Sequence, residues 1–277
     1  MITALDHVAL IVKDLDAATA RYTALLGCAP NWRGLDHGAA NVWFQLDNMA
    51  LDIIAPVGPG PGGERMQAHL DTHGEGAWAI AYATPDLDAA HRLMERRGVA
   101  VTAPHPLRST HPETKEKRAW RMFSTELAGV TTFLIEQKPE DKPWPRSAMQ
   151  APSGVTALDH VVIRSPAPDR VQAMYGARLG LDMRLDRTAP EWGTRLMFFR
   201  CGDLIVEIAH DLKAGVSEGD DSFWGLTWRT DDINGAHARL VGEGFNISEI
   251  RPGRRPGTRV FTVRDGTSNV PTLLIGP

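Results

Sequence analysis

The residues LDHV occur at Leu5–Val8 and again at Leu158–Val161, an offset of 153 (158 − 5). The same offset carries Tyr22 onto Tyr175, Leu26 onto Leu179 and Gly27 onto Gly180. One offset held over a strand and the helix after it identifies a duplicated unit. A finer repeat lies inside the first copy, where DLDAA stands at Asp14–Ala18 and at Asp86–Ala90; the second copy echoes it from Asp232. In each case the aspartate sits where a helix N-cap is wanted, and Gly27, Gly98 or Gly244 sits where a C′ glycine is wanted. The chain is four copies of one unit.

Each unit reads strand, helix, then several strands. ALDHVALIV alternates and is rich in β-branched residues, so it is a strand. A helix follows over Asp14–Leu26, then short runs NVWFQL and MALDIIAP divided at Asp47-Asn48. The third quarter matches with TALDHVVIRS, a helix over Asp169–Leu179, RLMFFRCG and LIVEIAH. WAIAYAT and WGLTWRT open the second and fourth units; TTFLIEQ and PTLLIG close them. PVGPGPGGE (56–64) reads as a connector, and the stretch 137–154, with four prolines, as a semi-rigid linker between the halves.

The remaining bounds are negative. With 43% apolar and 23% charged residues the 277-residue chain is globular in composition. A net charge of −4 without a basic block argues against a nucleic-acid partner. No apolar run approaches the roughly 18 residues of a membrane span. The amino terminus has no basic region ahead of its apolar stretch, so no secretory signal is expected. Cys28 and Cys201 make neither a disulfide framework nor a zinc cluster, and a reducing cytoplasmic location is expected.

A β-α-β-β-β unit used four times, with LDHV on its first strand and DLDAA at its helix start, resembles the vicinal oxygen chelate superfamily. That superfamily includes glyoxalase I, extradiol dioxygenases, methylmalonyl-CoA epimerase and the fosfomycin and bleomycin resistance proteins. The resemblance implies an α+β fold of four βαβββ modules, paired into two glyoxalase-like domains with cupped mixed sheets. The first domain would be 1–137 (modules 1–62 and 72–137), the linker 138–154, and the second domain 155–277 (modules 155–213 and 221–277).

In metal-using members the ligands come from the first and last strands of each unit in a pair. Carried over, the first domain offers His7 and Asp52 with Ala79 and Phe133; the second offers His160 and Glu207 with Gly225 and Leu273. Each half keeps a histidine and a carboxylate and lacks two ligands. Three readings of such a pair stay open: a divalent site for Mn, Fe, Ni or Zn, a metal-free proton-transfer pair, or an inherited cross-strand contact. Neither half supplies the two-histidine face an Fe(II) dioxygenase needs, which disfavours extradiol cleavage.

Alternation in WGLTWRT puts Gly225, Thr227 and Arg229 on one face and Trp224, Leu226 and Trp228 on the other. Gly225 would leave room for a substrate beside Thr227 and Leu273, and Arg229 would either hold an oxyanion or reach water. The matching first-half face, Ala79, Ala81 and Ala83, is small and apolar, so the second domain is the expected site of chemistry. RPGRRPGTR (251–259) reads as a solvated loop, and His105 and His111 as part of an exposed polar loop. His210, three residues after Glu207, should face away, and Trp78 and Trp224 should pack helix against sheet. The function expected is a lyase, isomerase or epimerase acting next to a carbonyl or oxyanion of a small molecule. The alternatives are a metal-free sequestering protein and an inert domain pair. A homodimer is compatible with the duplication.

Overall fold

The computed structural model describes residues 1–138 and 144–277. The first half runs β1 (Ala4–Ile11), α1 (Leu15–Leu26), β2 (Trp32–Asp36), β3 (Ala39–Gln45), β4 (Ala50–Pro56), α2 (Pro61–His73), β5 (Gly76–Thr84), α3 (Leu87–Arg96), β6 (His105–Thr110), β7 (Lys117–Leu127) and β8 (Val130–Glu136). The second runs β9 (Val155–Arg164), α4 (Pro168–Val171), β10 (Asp182–Ala189), β11 (Thr194–Cys201), β12 (Leu204–Asp211), β13 (Ser222–Thr230), α5 (Ile233–Gly242), β14 (Arg251–Pro252), β15 (Arg259–Val263) and β16 (Thr272–Gly276).

Both halves are centred on the same four strands: β4-β1-β5-β8 in one and β12-β9-β13-β16 in the other. The middle pair is antiparallel and the flanking pairs are parallel. The α+β architecture with cupped mixed sheets is therefore present twice. The first sheet closes into a barrel through the pairing of Leu35 on β2 with Thr110 on β6. The second stays open. Its last edge strand, β14, is only Arg251 and Pro252, and proline cannot extend a ladder by donating.

The helix starts follow the repeat. Asp14, Asp86 and Asp232 cap α1, α3 and α5 by accepting from Ala17 N (2.9 Å), Ala89 N (2.8 Å) and Gly235 N (2.9 Å). The third copy lacks this cap, and its helix is α for one turn before widening to a π-helix over Gln172–Arg178. Residues Pro61–His73 depart from expectation: the supposed connector runs into a helix, α2, with Pro61 at its first turn, where a missing N–H costs nothing.

Tyr22, Leu25 and Leu26 of α1, Met94 of α3 and Leu240 of α5 join Val8, Leu10, Val161 and Ile163 in one apolar cluster that runs through both halves. Polar contacts sew the same seam. Asn48 bonds both the N (3.0 Å) and O (2.8 Å) of Leu158, and the Tyr22 hydroxyl donates to Thr267 O at 2.9 Å. The two concave faces are left for ligands. Of the linker, residues 139–143 lie outside the described residues. Its later part is laid along the first half: Ser147 N donates to Gln45 O and Ala29 N to Ala148 O, each at 2.9 Å.

Candidate active site

The repeated LDHV is a β-bulge. In β1, Leu5 pairs with Tyr82 and His7 with Ala81, which leaves Asp6 unpaired; in β9, Leu158 pairs with Trp228 and His160 with Thr227, which leaves Asp159 unpaired. A bulge sends two successive side chains to one face. Leu5 and Val8, or Leu158 and Val161, then point to the apolar cluster, while Asp6 and His7 line the first cup and His160, with Asp159 beside it, the second. The imidazole Nδ1 meets its own aspartate at 2.6 Å for His7 and 2.9 Å for His160. That contact fixes each ring and aims Nε2 into the hollow.

In the second cup, Nε2 of His160 lies 3.5 Å from Oε2 of Glu207. The hollow holds about 850 Å³, and Thr227, Gly225 and Leu273 also line it. Asp159 is held in turn by Arg229, at 3.3 and 3.4 Å, and by Arg255, at 3.5 Å. Burial pushes the Asp159 carboxyl up, but His160 and the two guanidinium groups outweigh it, and the net direction is below the usual range. The RPGRRPGTR segment is mostly exposed, as a solvated loop should be, yet two of its arginines are engaged: Arg255 reaches Asp159, and Arg254 lies over the Trp192 ring at 4.2 Å.

Two expectations need correction. Gly225 leaves no room for a ligand: a Cβ there would sit 2.5 Å from Pro271 O, so the Pro271 backbone already occupies the space. Trp224 does not pack a helix; it is the unpaired residue of a second bulge, is 39% exposed, and stacks under Arg164 at 3.1 Å. Its counterpart Trp78 does meet a helix, packing with Met66 and Leu70 of the unforeseen α2. His210 is buried in step with Val206 and Ile208, on the face away from Glu207 as alternation requires, with Nδ1 and Ser165 O 3.0 Å apart.

The first cup is larger, about 1100 Å³, and is enclosed by the barrel. His7 is buried beside Trp43, ring centroids 4.9 Å apart, and Asp52 accepts from Asn41 at 2.7 Å. Burial raises the Asp52 carboxyl to about 6, against the opposing pull of His7 and Asn41. For His7 burial works downward, but the bond to Asp6 and the charges of Asp6 and Asp52 prevail, and the imidazole is raised. Displaced groups in a cleft mark a candidate functional site. The sequence directs attention to the other half, because Ala79, Ala81 and Ala83 carry no chemistry. The polar lining comes instead from Arg65 on α2, Arg108 on β6 and Arg118 on β7. The period-2 pattern of β7, Arg118-Trp120-Met122, is the signal in the sequence that points to it. His105 and His111 belong to the β6–β7 hairpin that closes the barrel.

The donor sets do not fit a tightly held divalent ion. Around His160 and Glu207 the remaining positions are Gly225 and Leu273; around His7 and Asp52 they are Ala79 and Phe133. Two strong donors fall short of the three protein ligands of a catalytic zinc centre. Among the described residues no group of three or more His, Cys, Asp or Glu side chains is placed to hold a metal.

Two concave mixed sheets built from repeated βαβββ units, each with a histidine–carboxylate pair on its inner wall, define the glyoxalase-like class. A family model described as "Glyoxalase-like domain" matches residues 5–180, and one described as "Glyoxalase/Bleomycin resistance protein/Dioxygenase superfamily" matches 159–262. The chain belongs to this glyoxalase-like family. It is 32% identical over 105 residues to the ethylmalonyl-CoA/methylmalonyl-CoA epimerase of Cereibacter sphaeroides, an alignment covering 36% of this chain and 75% of that protein. Among solved structures, a mutant of 4-hydroxymandelate synthase from Streptomyces coelicolor superposes with a TM-score of 0.71 at 13% identity, covering 100% of this chain and 93% of that one. The Mn(II)-bound glyoxalase of Novosphingobium aromaticivorans gives 0.64 at 17% identity, covering 99% and 82%. These likenesses carry the fold. No helix among the described residues is long and apolar enough to cross a membrane.

Proposed function

We propose that the protein is an enzyme of the isomerase, epimerase or lyase type that moves a proton on the carbon next to a carbonyl, using His160 and Glu207 in the second cup. The observation that carries this reading is the 3.5 Å approach of His160 Nε2 to Glu207 Oε2, with Asp159 holding the other ring nitrogen at 2.9 Å. The Glu207 carboxylate takes the proton; the C–H electron pair moves into the carbonyl to give an enolate. Nε2 of His160, when it carries a proton, donates to the enolate oxygen, and the Thr227 hydroxyl, across the strand pair from His160, gives a second donor. Both act in a partly buried site, where aligned donors count for more than in water. Protonation of the opposite face of the planar enolate, by solvent or after the enolate turns over in the cup, gives an epimer; expelling a β-substituent gives a lyase product. Arg229 acts through Asp159 as a positioning residue.

The likeness to an acyl-CoA epimerase supports an acidic C–H beside a thioester as the substrate class. The test is loss of the α-proton signal from methylmalonyl-CoA and ethylmalonyl-CoA in D2O, followed by NMR. Exchange by the wild-type chain that drops at least about 100-fold in Glu207→Gln supports the proposal. Exchange undiminished in that variant, or none above the buffer rate with either thioester, overturns it.

A further inference from the structure

We infer that the first cup is a separate binding site for a planar aromatic carboxylate, whose anion pairs with Arg118 and whose ring lies among Trp32, Trp43 and Trp144. The guanidinium carbon of Arg118 is 3.9 Å from the Trp32 ring centroid and 3.2 Å from that of Trp144. The guanidinium thus lies between two indoles that stand nearly perpendicular, at 74° to each other. Its edges, which carry five N–H donors in a fork that matches a carboxylate, find no acceptor among the described residues. A half-buried cation without a counter-ion is costly. Its burial is also felt in its acidity, with the group pulled down to about 10 against the weaker upward pull of Glu116.

The anions already in the cup are engaged elsewhere. Asp6 is held by His7, Asp47 by Arg146 at 2.6 Å and Glu136 by Arg121 at 3.4 Å, while Asp52 accepts from Asn41. Arg65 and Arg108 line the same hollow and likewise find no ionic partner among the described residues. A carboxylate ligand would supply the negative charge that these guanidinium groups lack among the described residues. The aromatic wall selects its shape. Trp144 stands 6.1 Å from Trp43 and 6.4 Å from Trp32, and Trp43 stands 4.9 Å from His7, centroid to centroid. Flat rings spaced in this way stack or meet edge-on with a flat guest. A polar group at the far end of that guest would meet His7 and Asp52.

This site does not rest on the proton-transfer reading of the second cup. The test uses benzoate, benzamide and cyclohexanecarboxylate as probes, titrated by calorimetry with tryptophan fluorescence as a second signal. Benzoate is expected to bind at least about tenfold more tightly than either analogue. Arg118→Gln, checked for folding by circular dichroism, should erase the preference for acid over amide, while His160→Ala should preserve it. Should Arg118→Gln fail to fold, Arg118→Lys keeps the charge and loses the fork, and the preference should shrink. Equal binding of the three probes, no benzoate binding below about 10 mM, or an acid preference that survives loss of the guanidinium overturns the inference.

Discussion

Replacing Gly225 by alanine adds one methyl group to the wall of the second cup, and the structure says what that methyl meets. The new Cβ would lie 2.5 Å from Pro271 O and 3.1 Å from Pro271 Cβ. Ordinary contact begins at 3.4 Å, so the turn at Pro271 or strand β13 must retreat by about 0.9 Å (3.4 − 2.5). The obstacle is backbone, which cannot rotate aside. It is also employed: Pro271 O accepts from Leu226 N at 3.0 Å. Crowding of this kind costs about 1–3 kcal/mol, and loosening the hydrogen bond adds about 0.5–1.5 kcal/mol. Gly225→Ala should therefore lose about 1.5–4.5 kcal/mol. Urea unfolding followed by tryptophan fluorescence should show the midpoint falling with the slope unchanged. A midpoint matching wild type would refute the claim that Pro271 occupies this space, and would restore Gly225 as room for a ligand.

Other outcomes rest on the same geometry. Asp52 has a folded value near 6, above its ordinary 3.8. The folded state thus holds this proton more tightly, and the stabilisation is full below pH 3.8 and lost as pH rises through 6; raised His7 has the same sign. Asp52→Asn should gain about 1–3 kcal/mol on wild type between acid and neutral pH, and a gap that does not grow with pH contradicts this. Trp228 is fully buried with its indole N–H unpartnered among the described residues, so Trp228→Phe should cost under about 1.5 kcal/mol and Trp228→Ala about 3–5 kcal/mol. Equal losses would mean the N–H is satisfied. Asp159→Asn should slow proton exchange about 100-fold and alter its pH profile; a changed KM alone would make Asp159 a binding residue.

Fold was legible because the sequence repeats its own signals. An aspartate cap, a closing glycine and an alternating strand are local devices, and their recurrence, the strand and glycine at the offset of 153 and the cap at Asp14, Asp86 and Asp232, makes four units from ambiguous fragments. The helix over Pro61–His73 escaped because its first residues are prolines and glycines that also suit a turn. The site was half legible. His160 and Glu207 were found by register, but strict alternation hid both bulges and so misplaced Trp224 and concealed the pairing of each histidine with its own aspartate. The cationic lining of the first cup was missed for a different reason. Arg118, Trp32 and Trp144 are far apart in sequence, and only barrel closure stacks them.

The central claim is that His160 and Glu207 move a proton without help from a metal, although a structural neighbour is an Mn(II)-bound glyoxalase. It is tested most directly by the α-proton exchange rate of chelator-treated protein in D2O, before and after adding Mn(II). A rate that survives chelation and is unchanged by the ion is what two donors without a third or fourth ligand predict. A rate that vanishes on chelation and returns with Mn(II) would contradict the account.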